Sequence, residues 1–79
     1  MFGYGAVPTL LRHRKLLGDS IRKFRKEAGL SQEKLAEKAD LHPVYVSALE
    51  RGVKTISVDA LMRIVGALGV RLCDLVKEL

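Results

Sequence analysis

The chain has 79 residues, 48% of them hydrophobic and 29% charged, with a formal net charge of +5. This length fits one small domain, and the basic balance points to an anionic partner surface. A single cysteine, Cys73, excludes an intrachain disulfide and a cysteine metal cluster, and no apolar run approaches the roughly 18 residues of a membrane span.

The positive charge is concentrated. Residues 1–57 hold 11 Lys/Arg and 6 Asp/Glu, a net of +5, whereas residues 58–79 hold three of each and are neutral. One part of the fold is therefore suited to an anion and the other is free for a different contact. The N-terminus does not read as a signal peptide, because its basic cluster follows the apolar residues instead of preceding them. A cytoplasmic protein is expected. His13 and His42 stand 29 positions apart without other ligands nearby, so no metal is expected. Asp19, Ser20 and His13 offer no catalytic triad logic, so no catalytic residue, enzyme activity or cofactor is expected either.

Residues 1–8, "MFGYGAVP", show no periodicity and read as a loose arm. "RHRK" (12–15) follows, so 1–15 reads as a basic N-terminal arm or helix extension ahead of a domain at 16–79. Arg12, His13, Arg14 and Lys15 fit either a DNA-clasping arm or a solvated helix start, and the second is slightly preferred. The first firm helix is 16–28: Leu17, Ile21, Phe24 and Ala28 form one stripe, which Leu10 extends backwards to a start as early as Thr9. Gly29 suits the residue past its end.

Three helix starts then share one signature, an apolar residue before the cap and another in the second turn. They are Leu30 with Leu35, Leu41 with Val46, and Ile56 with Leu61. Ser31 and Ser57 are good N-caps, and Glu33 and Asp59 suit the positive end of the helix dipole. Pro43 fits a first helical position, which leaves His42 as a poor cap. The expected helices are 32–39, 43–51, 58–68 and 71–78, with Gly52 and Gly69 ending the third and fourth. In the last, Leu72, Leu75, Val76 and Leu79 share a face. This stripe suits a dimer interface as well as the chain's own core, with Leu75 and Leu79 the most available. The fold class is all-α.

Only Asp40, Leu41 and His42 join the second and third helices, a spacing that suits a helix-turn-helix. In fuller form, "LSQEKLAEKADLHPVYVSALERG" followed by "ISVDALMRIVGALGV" resembles the phage-repressor and Cro-like helix-turn-helix family over about residues 16–76. Within it, "LHPVYVSALERG" is similar to the controller proteins of restriction–modification systems. The resemblance implies a compact five-helix, lambda-repressor-like bundle that binds double-stranded operator DNA as a homodimer, with the third helix in the major groove. It also implies a phosphate contact for Gln32 and an ion pair between Arg25 and Glu50. The chain departs from the family at Asp40, where Gly is usual, and at Arg71, where a Ser or Thr cap is common. Pro43, Val44 and Ala48 replace frequent polar base readers.

The outward face of the third helix is expected to carry Val44, Tyr45, Ser47 and Ala48. Val44 and Ala48 suit thymine methyls, and Tyr45 and Ser47 suit hydrogen bonds to bases or phosphates. Arg51, Lys54 and Thr55 follow and suit the flanking backbone, or a guanine for Arg51. The expected function is a sequence-specific transcriptional regulator on an inverted-repeat operator. Two other readings stay open: an antitoxin that neutralises a toxin and represses its own operon, and a protein-binding adaptor that keeps the fold without base readout.

Overall fold

A computed structural model describes the backbone of residues 3–77 and of Leu79, and the side chains from Arg12 onward except Glu78. Among these residues it contains five helices: α1 (Gly3–Glu27), α2 (Gln32–Ala39), α3 (Pro43–Arg51), α4 (Val58–Leu68) and α5 (Leu72–Val76). Bounds of the middle three match the expected ones. The first helix differs. Its backbone runs continuously from Gly3, so residues 3–15 extend the helix instead of forming a loose arm, in line with the stripe that Leu10 shares with Leu17. Met1 and Phe2, the first two residues of the expected arm, lie outside the described residues.

The shared start signature is visible in the caps. Ser31 Oγ accepts the Lys34 N–H at 3.0 Å and Ser57 Oγ accepts the Ala60 N–H at 3.0 Å, each satisfying one orphan donor of a first turn. His42, expected to cap poorly, does cap: its Nδ1 accepts the Val44 N–H at 3.1 Å. The imidazole supplies the acceptor that Asn or Asp would supply, because Pro43 at the first helical position leaves Val44 N–H as the nearest donor to satisfy.

Helix ends follow chirality. Asp40 closes α2 at φ 57°, ψ 48°, in the left-handed region, and the Leu41 N–H reaches back to the Ala36 carbonyl at 2.8 Å. Asp tolerates this conformation better than most non-glycine residues. Arg63 from α4 anchors it, with a guanidinium nitrogen 3.2 Å from the Asp40 carboxylate. α5 is shorter than the expected 71–78. Arg71 makes no side-chain cap there; its guanidinium turns to Asp74 instead, and that hydrogen bond holds the Asp74 carboxyl below the usual carboxylate range.

Helices α1, α3, α4 and α5 and the pair α2–α4 close around one core, in which Ile21, Leu35, Val46, Ile64 and Leu75 are fully buried. Ala36, also fully buried, lets α2 and α3 cross closely. Gly18 performs the same service between α1 and α3. A Cβ there would collide with the Leu49 carbonyl oxygen and lie 2.7 Å from that of Glu50. The tight α1–α3 crossing fixes the angle at which α3 stands out from the bundle. No helix among the described residues is long and apolar enough to cross a membrane.

Candidate nucleic-acid interface

Beneath the exposed side of α2 and α3 lies a buried polar cluster. Arg25 Nε donates to Glu50 Oε2 at 2.6 Å and its Nη2 to Oε1 at 3.1 Å. The two residues are only 8% and 5% exposed. Arg25 Nη1 also donates to the Leu30 carbonyl at 2.8 Å, in the turn that leads into α2. This two-pronged geometry is the strong form of an ion pair, and it locks α1, the start of α2 and the end of α3 to one another. No buried side-chain nitrogen or oxygen among the described residues lacks a partner.

Gln32 joins this cluster. Its amide donates to Glu50 Oε1 at 3.0 Å. The expected phosphate contact would therefore use what remains: the second amide N–H, and the backbone N–H groups of the first turn that have no intrahelical partner.

On α3 the expected reading face divides. Val44 is 66% exposed and stands clear of the surface, and Arg51 is exposed a helical heptad further along. Ser47 is half-buried between them. Two expected readers are placed otherwise. Ala48 is 9% exposed, and its carbonyl accepts the Val53 N–H at 3.1 Å as the chain turns out of α3. A single methyl at this level of burial offers little surface to a base. Tyr45 packs its ring against the core, and its hydroxyl donates to the Thr55 carbonyl at 3.3 Å and accepts the Ser57 N–H at 3.4 Å. Its hydroxyl ties down the α3–α4 loop.

That loop presents Lys54 and Thr55 to solvent, with Val53 60% exposed beside them. The face therefore consists of the α2 N-terminus, the outward edge of α3 and a basic loop held at both ends. One member was missed in the sequence. His42 is exposed at the first turn of α3, and because its Nδ1 accepts the capping bond, its ring proton sits on Nε2. The fixed tautomer offers an N–H donor next to Val44. The signal was present: Pro43 at the start of a helix assigns the preceding residue to the cap.

The expected dimer stripe also divides. Leu75 is fully buried in the core and unavailable, since α5 leans on α1 and α4 through that side chain. Leu72 and Leu79 are 38% and 45% exposed, and Val76 is half-buried. Leu79 lines a cavity together with Leu17 and Ile56. A second apolar surface, not anticipated, lies on α4, where Val58 and Met62 are 77% and 48% exposed one turn apart.

A family model described as helix-turn-helix matches residues 21–75. The chain is similar to the control protein C.BamHI of Bacillus amyloliquefaciens, at 44% identity over 63 residues that span 78% of each chain. Among solved structures it resembles the clp gene regulator ClgR from C. glutamicum, with a TM-score of 0.78 and 38% identity over 82% of this chain and 84% of that one. It also resembles the restriction-modification controller protein C.AhdI from Aeromonas hydrophila, with a TM-score of 0.77 and 32% identity over 78% of this chain and 94% of that one.

Proposed function

The chain belongs to the Cro/C1-type helix-turn-helix family of DNA-binding transcription regulators, and on that footing we propose that it binds an inverted-repeat operator in a sequence-specific manner as a homodimer. The observation that carries this reading is the rigid outward face of α3. The buried Arg25–Glu50 pair holds it at one end, the Tyr45 hydroxyl holds the loop that follows, and the α2 N-terminus and Lys54 flank it. Phosphate contacts from Lys54, Arg51 and the start of α2 supply most of the affinity. Val44 on a thymine methyl, Ser47 and Arg51 on base edges, and His42 Nε2–H supply selection, with DNA deformability adding to it.

The exposed apolar side chains of α4 and α5, Val58, Met62 and Leu72, are the surface for the second protomer. Dimerisation through the neutral part of the chain leaves the basic part of both copies free for DNA. The exposed Val44 and Val53 also favour a second reading, a protein-binding adaptor. A titration of purified protein with genomic fragments at increasing salt tests the first. Binding that weakens with salt and prefers particular fragments supports it. Binding that is indifferent to both salt and sequence contradicts it, and replacement of Arg51 and Lys54 without loss would favour the adaptor.

A further inference from the structure

The basic run at 12–15 takes no part in the face described above, yet it is docked against it. Gly52, at φ 75°, lies so close to α1 that a Cβ there would sit 2.9 Å from the Lys15 Cα and 3.1 Å from the Lys15 amide nitrogen. The loop that follows α3 is thereby held against the backbone of the basic run. Next to this contact, His13 and Arg14 share one cavity with Lys54 and Thr55, over a floor that includes Leu17 and Ile56.

The four basic-run residues are not equivalent. Lys15 is occupied by Asp19 at 3.0 Å. Arg12 lies about 200° around the helix from Arg14 and faces away from the cavity. Arg14 is half-buried and lines the same cavity as the exposed Lys54, a placement that suits a long basic side chain with its stem on apolar surface and its charge in solvent.

We propose that Arg14, assisted by His13, is a further anchor for the DNA phosphate backbone, extending the nucleic-acid surface from the α3–α4 loop onto the N-terminal half of α1. The inference rests on the DNA-binding reading above. The backbone of this helix is packed against the binding loop, so Arg14 and Lys54 project from neighbouring segments that hold one arrangement. A DNA backbone that reaches Lys54 brings its next phosphates past the same cavity, and a planar guanidinium suits a phosphate oxygen pair. His13 and Arg14 thus act from a helix and not from a loose arm.

The test is the salt dependence of binding to a 30-base-pair random-sequence duplex, compared across variants. Arg14→Met keeps an unbranched apolar side chain in the cavity wall and removes the charge. It is expected to lower the slope of log K against log salt by about 0.9, so that affinity falls about 3.5-fold less than in the unmodified protein between 50 and 200 mM salt. Arg14→Lys keeps the slope, and so does Lys38→Met, at the far end of α2. An unchanged slope in Arg14→Met overturns the proposal, as does an equal drop in Arg14→Lys or in Lys38→Met. An unmodified protein whose duplex binding is independent of salt overturns the DNA-binding reading itself, a result distinct from the other three.

Discussion

Replacing Glu50 with alanine is the sharpest structural perturbation available. Arg25 is 8% exposed and receives both of its carboxylate contacts from Glu50, at 2.6 and 3.1 Å. The variant leaves a guanidinium buried with only the Leu30 carbonyl as acceptor. Breaking a buried pair from one side costs about 3–5 kcal/mol. A core of this size supplies a net stability of roughly 3–5 kcal/mol, so Glu50→Ala is expected to be largely unfolded or close to it at 25 °C. The melting temperature should drop by on the order of 20 °C, taking about 4–8 °C per kcal/mol for a domain of this length. Removing both charges is different. Arg25→Met with Glu50→Leu fills similar volume without an orphaned ion, and such replacements are neutral or stabilising by about 1–4 kcal/mol in other proteins. Gln32 loses its acceptor in both variants, but it is half-buried and water can replace the bond. Thermal and urea melts of Arg25→Met, of Glu50→Leu and of the double variant that combines them measure the coupling. A Glu50→Ala protein that melts within about 3 °C of the unmodified one would refute the reasoning, as would a double variant as unstable as the sum of its singles; the few-degree scale is that of less than 1 kcal/mol.

Other positions give independent checks. Gly18→Ala forces a methyl against the carbonyls of Leu49 and Glu50; although alanine is the better helix former, the melts should show a loss of about 1–3 kcal/mol from overpacking, and a gain in stability would contradict the close α1–α3 crossing. His42→Ala removes the acceptor for the Val44 N–H and should destabilise by about 1 kcal/mol, with His42→Asn recovering most of it; equal stability of all three would mean the imidazole caps nothing. Met62→Glu places a charge on the apolar α4 surface. Sedimentation should show a weaker self-association with unchanged helicity, whereas an undisturbed dimer would move the interface elsewhere.

The fold was legible where local chemistry decides. Ser31 and Ser57 announce helix starts, the spacing of Leu35 and Val46 announces the buried faces, and Asp40 accepts the left-handed turn that Gly usually fills. What was not legible depends on elements distant in sequence. Ala48 has the right phase on α3 to face outward, yet it is buried in the folded chain, which its own helix does not foretell. Tyr45 also has a second role that the sequence does not disclose, since its hydroxyl bonds Thr55 and Ser57, ten and twelve residues on. Leu75 sits in an amphipathic stripe that two surfaces compete for, and tertiary packing awards it to the core. The early start of α1 was hidden by "GYG" and Pro8, which read locally as breakers. Gly18 gave no signal at all, since a glycine within a helical pattern does not disclose which backbone crosses it.

The central claim, a homodimer reading a specific site through α3, is tested most directly by selecting bound duplexes from a random pool. The account predicts recovery of an inverted repeat whose half-sites are centred about one helical turn, roughly 34 Å, or a multiple of it apart. It also predicts that Val44→Ala or Arg51→Ala alters the base preferred at one position of each half-site. A pool that converges on no sequence, or on a single half-site without its inverted partner, would contradict it.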